Sequence, residues 1–534
     1  MIYLIAVGGT GIRVMRSFLQ MCMAGCFCGE SFKVICVDSD SSNGDMDVYK
    51  KLAQDYSKLM DSFHSDDFAK VSFHENNKAK SDPDKRTYGI WSPLNATTNT
   101  LAEILKKGKM QDAEEVFDFF YTEAEQKQEL NGGFYGHTSI GTLLMADAIL
   151  DGGGYNSEWL NFFDLAGKSV KDDTDRVFII GSVFGGTGAS GIPAIANIIR
   201  STESTKNMKL GSVFVMPYFD PGSSNDEKSG TIAHINGEIF DSKLRSAMMF
   251  YKDQIFVDQS IFDVVYMIGT NDEMIVPNAT SGPEQRNKAS YTELLAAASV
   301  IDFMGFNDDE FKVRFFNEEL SDIERLEIKN TDDKTVYDKL AEFLVFSVMY
   351  TKYFNKVFED KYKVPGEWQN NLHKTVKYDK KSQVFAHERE AMLKCTEDYM
   401  AWVYEICMST KETPGADRGI FVKNDADYSV KRDFSESRDN IFKAQSKTIS
   451  DLYSPSVSIH EGVSGILKTS RYSLSSLEAI ADLLVEEKLP PNHLKLNNGL
   501  KIVDILSNEG FNDYKSDFAV ITLMNAVKDA VWYR

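Results

Sequence analysis

Two glycine-rich runs are the residues best suited to chemistry. Val7-Gly8-Gly9-Thr10-Gly11-Ile12-Arg13 and Gly185-Gly186-Thr187-Gly188-Ala189-Ser190-Gly191 each follow an apolar, strand-like run and precede a helix-like stretch. Glycine lets a backbone take positive φ and approach a ligand closely, and a helix start turns free N–H groups and a positive dipole end toward an anion. The second run adds the hydroxyls of Thr187 and Ser190. Two such loops on one sheet suit a polyphosphate held from two sides. No Gly-x-x-x-x-Gly-Lys-Ser/Thr occurs, which excludes a Walker-type phosphate loop. The plain alternative for either run is a tight strand-to-helix turn. Gly9-Thr10-Gly11 with Asp38 also imitates a dinucleotide fingerprint, with the acid on ribose hydroxyls, although Val14 stands where the third glycine belongs.

Other candidates surround these loops. Asp38 and Asp40, at the mouth of a second strand, could hold magnesium through water or serve as turn residues. Arg13 is a phosphate candidate, with a solvated side chain as the alternative. Cys22, Cys26 and Cys28 form no C-x-x-C pair and read as small apolar residues at a helix end.

The elements that must position these groups read as α/β. Residues 2–7 and 32–37 are strands around a helix at 11–24, a βαβ unit and hence a parallel sheet. Residues 41–131 read as polar and irregular, with helical pieces near 101–107 and 112–129, and a helix follows at 140–150. Strands are expected at 176–184, 210–216 and 262–268, with helices at 193–199, 231–251 and 287–304. Pro193 is expected near the first turn of its helix, where a missing N–H is harmless. Beyond about residue 310, helical periodicity dominates at 334–360, 384–409 and 473–488, with polar connections such as 410–440.

Phe184-Gly185-Gly186-Thr187-Gly188-Ala189 resembles the Gly-Gly-Gly-Thr-Gly-Ser-Gly signature of tubulin and the bacterial division protein FtsZ. Phe184 replaces the leading glycine, and the last glycine falls one residue late, at Gly191. The loop Gly8, Gly9, Thr10, Gly11 matches that superfamily's first nucleotide loop in position. Gly136-His137-Thr138-Ser139-Ile140-Gly141 is similar to its γ-phosphate loop. Asp220, in Met216-Pro217-Tyr218-Phe219-Asp220-Pro221-Gly222, falls in a segment like the ribose-side loop of FtsZ, and Asn271 stands where that family has a sugar- or base-contacting Asn. Gln285-Arg286-Asn287-Lys288-Ala289 resembles the start of its central helix, whose Asn reads guanine; the alternative for Asn287 is a helix cap. The likeness spans about residues 1–310 and is closest to the divergent bacterial tubulin-like proteins.

The resemblance implies a tubulin/FtsZ-type nucleotide-binding domain over 1–286, a central helix and acidic loop over 287–310, and a mostly helical C-terminal region over 311–534. It implies GTP/GDP and Mg2+ as cofactors and head-to-tail self-association, with GTP hydrolysis. Asn307, Asp308 and Asp309 would then activate water at the next subunit's nucleotide, or else form an acidic surface turn. The alternative is a non-polymerising nucleotide-sensing module whose C-terminal region binds a protein partner. A dinucleotide oxidoreductase rests only on the first loop and Asp38.

Composition bounds these readings. The 534 residues carry 59 basic and 80 acidic side chains, a formal charge of −21, and are 43% hydrophobic. This is globular composition, and the acid excess argues against nucleic acid or an anionic membrane as main partner. No apolar run approaches the roughly 18–20 residues of a membrane span. With no leader-like start and no disulfide framework, a cytoplasmic location is expected.

Overall fold

The structure is a computed structural model that describes residues 1–40, 43–75, 85–94, 100–106, 118–119, 121–127, 138–151, 154–165, 174–218, 245–253, 261–269, 286–308, 310–315, 328–329, 334–359, 367–409 and 502–530. Among the described residues its centre is an eight-stranded sheet in which every pairing is parallel. The strands are β1 (Ile2–Val7), β2 (Ser31–Val37), β3 (Lys70–Phe73), β4 (Ile90–Trp91), β7 (Arg176–Ser182), β8 (Lys209–Val215), β9 (Val264–Ile268) and β10 (Lys312–Phe315). A separate two-stranded hairpin joins β5 (Leu150–Asp151) to β6 (Gly154–Tyr155). The sheet order is β10-β9-β8-β7-β1-β2-β3, with β4 also paired to β2. The chain therefore winds one way from β1 to β3 and the other way from β7 to β10. The reversal lies between β1 and β7, the kind of place where open α/β sheets bind ligands at their carboxyl edge.

Because both faces of a parallel sheet are covered, its strands are apolar throughout. Ile2, Leu4 and Ala6 of β1 belong to one core and Tyr3, Ile5 and Val7 to the other, all buried, as the two-residue period of a strand requires. The first core holds helices α1 (Gly8–Ala24), α2 (Gly44–Phe63), α5 (Tyr291–Gly305), α6 (Val336–Met349), α7 (Gln383–Ser409) and α8 (Ala519–Ala530). The second holds α3 (Thr138–Ile149) and α4 (Gly186–Ser201). Among the described residues the first core is one cluster with members from Ile2 to Ala530.

Several expectations change. The helix α2 replaces part of the stretch read as irregular: Met46, Tyr49, Leu52, Ala53, Tyr56, Leu59 and Phe63 are buried at helical spacing, and Asn43 caps it by accepting the Asp45 N–H at 2.8 Å. The edge strand β10, the short β3 and β4, and helix α8 were not expected. The segments 231–244, 410–440 and 473–488 lie outside the described residues.

Pro193 is also not in a first turn. Helix α4 begins at Gly186, seven residues before it, so the proline sits in the interior. It thereby removes the N–H that would serve the carbonyl four residues back, at Ala189. The Tyr251 hydroxyl donates to that carbonyl at 2.9 Å from a fully buried position. Tyr251→Phe should therefore cost about 1–3 kcal/mol in chemical denaturation, because a buried acceptor loses its partner. In a Pro193→Ala background, where the backbone N–H returns, the same change should cost clearly less.

Candidate functional site

In the β1–β7 pair Val7 lies opposite Gly181, and in the β1–β2 pair it lies opposite Val37. The segments that follow β1, β2 and β7 therefore emerge side by side. They carry, in turn, Gly8 to Gly11, Asp38 to Asp40, and Gly185 to Ser190. The two glycine elbows abut. Gly8 has φ +74°, and a side chain there would come within 3.1 Å of the Gly188 nitrogen. At Gly188 a Cβ would lie 2.6 Å from the Ser182 carbonyl oxygen. Only glycine allows this approach at both positions. Both helices that follow, α1 and α4, start in the elbows and direct their first N–H groups into one crevice. Neither start has a side-chain cap.

Asp38 lies between the elbows. Its carboxylate is 4.0 Å from where a Gly9 side chain would be, and it accepts from Thr187 Oγ1 at 3.5 Å and from the Asp40 N–H at 3.2 Å. Ser39 Oγ lies 3.3 Å from Thr187 Oγ1. Burial pushes the Asp38 carboxyl up to about 7; the charge of Asp40 adds to this, and the N–H groups of Asp40 and Ser39 oppose it. A cation here would offset that desolvation. Two carboxylates and two hydroxyls are hard oxygen donors of the kind Mg2+ takes beside phosphate and water. Among the described residues no group of three or more His, Cys, Asp or Glu side chains is arranged to hold a metal alone. The set thus fits an ion shared with a phosphate better than an all-protein cage.

Arg13 is neither solvated nor aimed at the crevice. It is 4% exposed and pairs with Glu293, itself fully buried; Asp45 lies 4.0 Å away and the Tyr218 ring 5.4 Å from its guanidinium carbon. Burial alone would lower the Arg13 pKa, but Glu293, Tyr218 and Asp45 hold it above its usual value. Tyr218 donates to Glu293 at 2.6 Å. Glu293 also closes a capping box with Ser290 at the start of α5.

Asn287 reaches the same cluster. Its backbone N–H and Nδ2 donate to the two carboxylate oxygens of Asp45 at 2.8 and 3.0 Å. Ser290, not Asn287, is the helix cap. Burial raises the Asp45 pKa, while Arg13 and the bonds from Asn287 oppose the shift. Asn43 connects this cluster to the crevice, its Nδ2 being 3.7 Å from where a Gly9 side chain would begin.

Asn307 and Asp308 lie at the other end of α5, a helix of 15 residues and hence about 22 Å long. Arg176, first residue of β7, donates to Asn307 Oδ1 at 2.7 Å, and Lys209, first residue of β8, donates to the Asp308 carbonyl at 2.9 Å. Both strands thus mark the amino edge of the sheet, opposite the elbows. Gly136, Asp220, Asn271 and Asp309 lie outside the described residues.

Sequence reasoning missed Asn43, Asp45, Ser39 and Glu293. Ser290 followed three residues later by Glu293 is a legible capping-box spelling. Nothing in the spelling of Asp45 pairs it with Asn287, 242 positions away.

The chain matches no protein-family model, no curated protein and no solved structure. Among the described residues no helix is long and apolar enough to cross a membrane.

The Arg13–Glu293 pair gives a direct test of this cluster. Arg13→Met alone strands a buried carboxylate and should lower stability by about 3–5 kcal/mol. Adding Glu293→Gln should recover much of that loss, read from urea midpoints of the two variants.

Proposed function

We propose that the chain is a tubulin-like guanine-nucleotide-binding protein that hydrolyses GTP and assembles head to tail. The observation that carries this reading is the contact of Gly8 with Gly188 at the point where the sheet reverses direction, with Asp38 between them. In it, the amides of both elbows, the starts of α1 and α4 and the Thr187 hydroxyl take the phosphates, whereas the expected Ser190 hydroxyl is turned inward and donates to the Gly186 carbonyl at 2.7 Å. Asp38 and Asp40 would hold Mg2+; when bound, the ion neutralises phosphate charge. Asn287 would meet the base.

The residues that the resemblance assigns to hydrolysis do not lie beside the same copy's elbows, since Asn307 and Asp308 are about 22 Å from the start of α5. They instead suit a second copy stacked on the amino edge, where a carboxylate orients water toward the first copy's terminal phosphate. Such a contact joins two different surfaces, so it propagates unless the rotation closes it. A non-assembling, nucleotide-sensing protein is the second reading. It is favoured by Glu405 of α7, which accepts the Ala289 N–H at 2.9 Å and so ties the C-terminal helices to the segment carrying Asn287.

Identification of the copurifying nucleotide, followed by light scattering with and without GTP, tests both. Gly188→Ala should weaken GTP binding at least about tenfold, 1.4 kcal/mol, while Asp308→Ala with Asp309→Ala should leave binding intact and abolish GTP-dependent scattering. Saturable binding with no scattering by the unaltered protein would select the second reading. No binding of any nucleotide would end both.

A further inference from the structure

We propose that Asp45 is a positioning residue that fixes which end of the Asn287 amide meets a bound base, and so sets base discrimination. This rests on the nucleotide reading above. Asp45 grips Asn287 at two points, the backbone N–H at 2.8 Å and Nδ2 at 3.0 Å. Arg16 Nη1 takes the Asn287 carbonyl at 3.2 Å. The protein thus commits every polar group of Asn287 except Oδ1 and the second amide hydrogen.

The two ends of a carboxamide have nearly the same shape, so only their partners decide which way round it sits. Reversing Asn287 would set Oδ1 against a carboxylate oxygen, acceptor against acceptor. Asp45 is itself held: Asn43 Oδ1 accepts its N–H at 2.8 Å, Arg13 lies 4.0 Å away, and the first turn of α2 favours a negative charge. At 1% exposure it has no surface for a base and acts only through its neighbour.

With Nδ2 turned to Asp45, Asn287 offers a base Oδ1 and one amide hydrogen in a fixed order, so the base it favours sets N–H donors against Oδ1 and an acceptor against that hydrogen. Guanine offers the N1–H and the 2-amino group. Hypoxanthine keeps the first and lacks the second, whereas adenine in the same pose sets its unprotonated N1 against Oδ1 and its 6-amino group against the amide hydrogen, a mismatch at both atoms. A site that leaves donors or acceptors unpaired discriminates strongly.

The test is calorimetric titration of the full chain with GDP, IDP and ADP. The unaltered protein should rank them in that order. Asp45→Asn, whose amide accommodates either orientation of Asn287, should shrink the GDP-to-ADP affinity ratio at least about tenfold, with little change in the thermal melt. In an Asn287→Ala background the same substitution should leave the ratio where it is, because the two changes act through one contact. An unchanged ratio in Asp45→Asn overturns the proposal, as does a full shift that persists without Asn287. Should Asp45→Asn fail to fold, Asp45→Ser keeps an acceptor for the backbone N–H and carries the same comparison. Failure of the unaltered chain to bind any nucleotide is a different result, which removes the nucleotide reading and this proposal with it.

Discussion

The parallel pairing of β1 with β7 is the constraint on which the rest depends. With Val7 opposite Gly181, two chain segments far apart in sequence must leave the sheet at the same height and turn the same way. Any bulky residue at Gly8 or Gly188 would then strike the other elbow or its own strand end, so the register and the glycines require one another. The crevice follows from this pairing alone, because each elbow opens a helix and each helix start leaves amide hydrogens without intrahelical partners.

A second consequence concerns α5. Its first turn is tied by Glu293 to Arg13 of α1, and the residues just before it are tied by Asp45 to α2 and by Glu405 to α7. Its far end is held by Arg176, which donates to the Phe306 carbonyl at 2.6 Å. The helix is thus a strut with polar fastenings at both ends and an apolar length between them, and near its far end Phe303 lies 4.9 Å, centroid to centroid, from Phe178 of β7. Burying Glu293, Asp45 and Asn287 at its first turn is tolerable because each finds a partner, and losing one partner would leave a charge without solvent.

Much of the sheet was legible because buried parallel strands are nearly continuous apolar runs, as at 2–7 and 176–182. The glycine elbows were legible for the opposite reason, since Gly-Gly-Thr-Gly has few conformational uses besides a turn into a helix. Helix α2 was within reach, its buried residues being spaced at three and four, but its lysines and aspartates outweighed that pattern. The Asn287–Asp45 grip was not legible, since a contact across 242 positions depends on how α2 folds back beside α5. Arg13 shows the same limit: a lone arginine near a phosphate loop reads as a ligand contact until its carboxylate partner is brought in from another element.

The departures from the tubulin spelling bear on how far the proposed kinship extends. Phe184 occupies the place of a leading glycine, yet it is not among the residues with positive φ, so the backbone there makes no demand for glycine. Its ring packs against the core that holds α1 and α5, which anchors the elbow from behind. Gly185 and Gly188 remain where the chain turns and where Ser182 crowds it. The substitution falls at a position where the geometry allows a side chain, and the glycines are kept where it does not. Crowding within the fold thus accounts by itself for which positions stay glycine and which accept a ring.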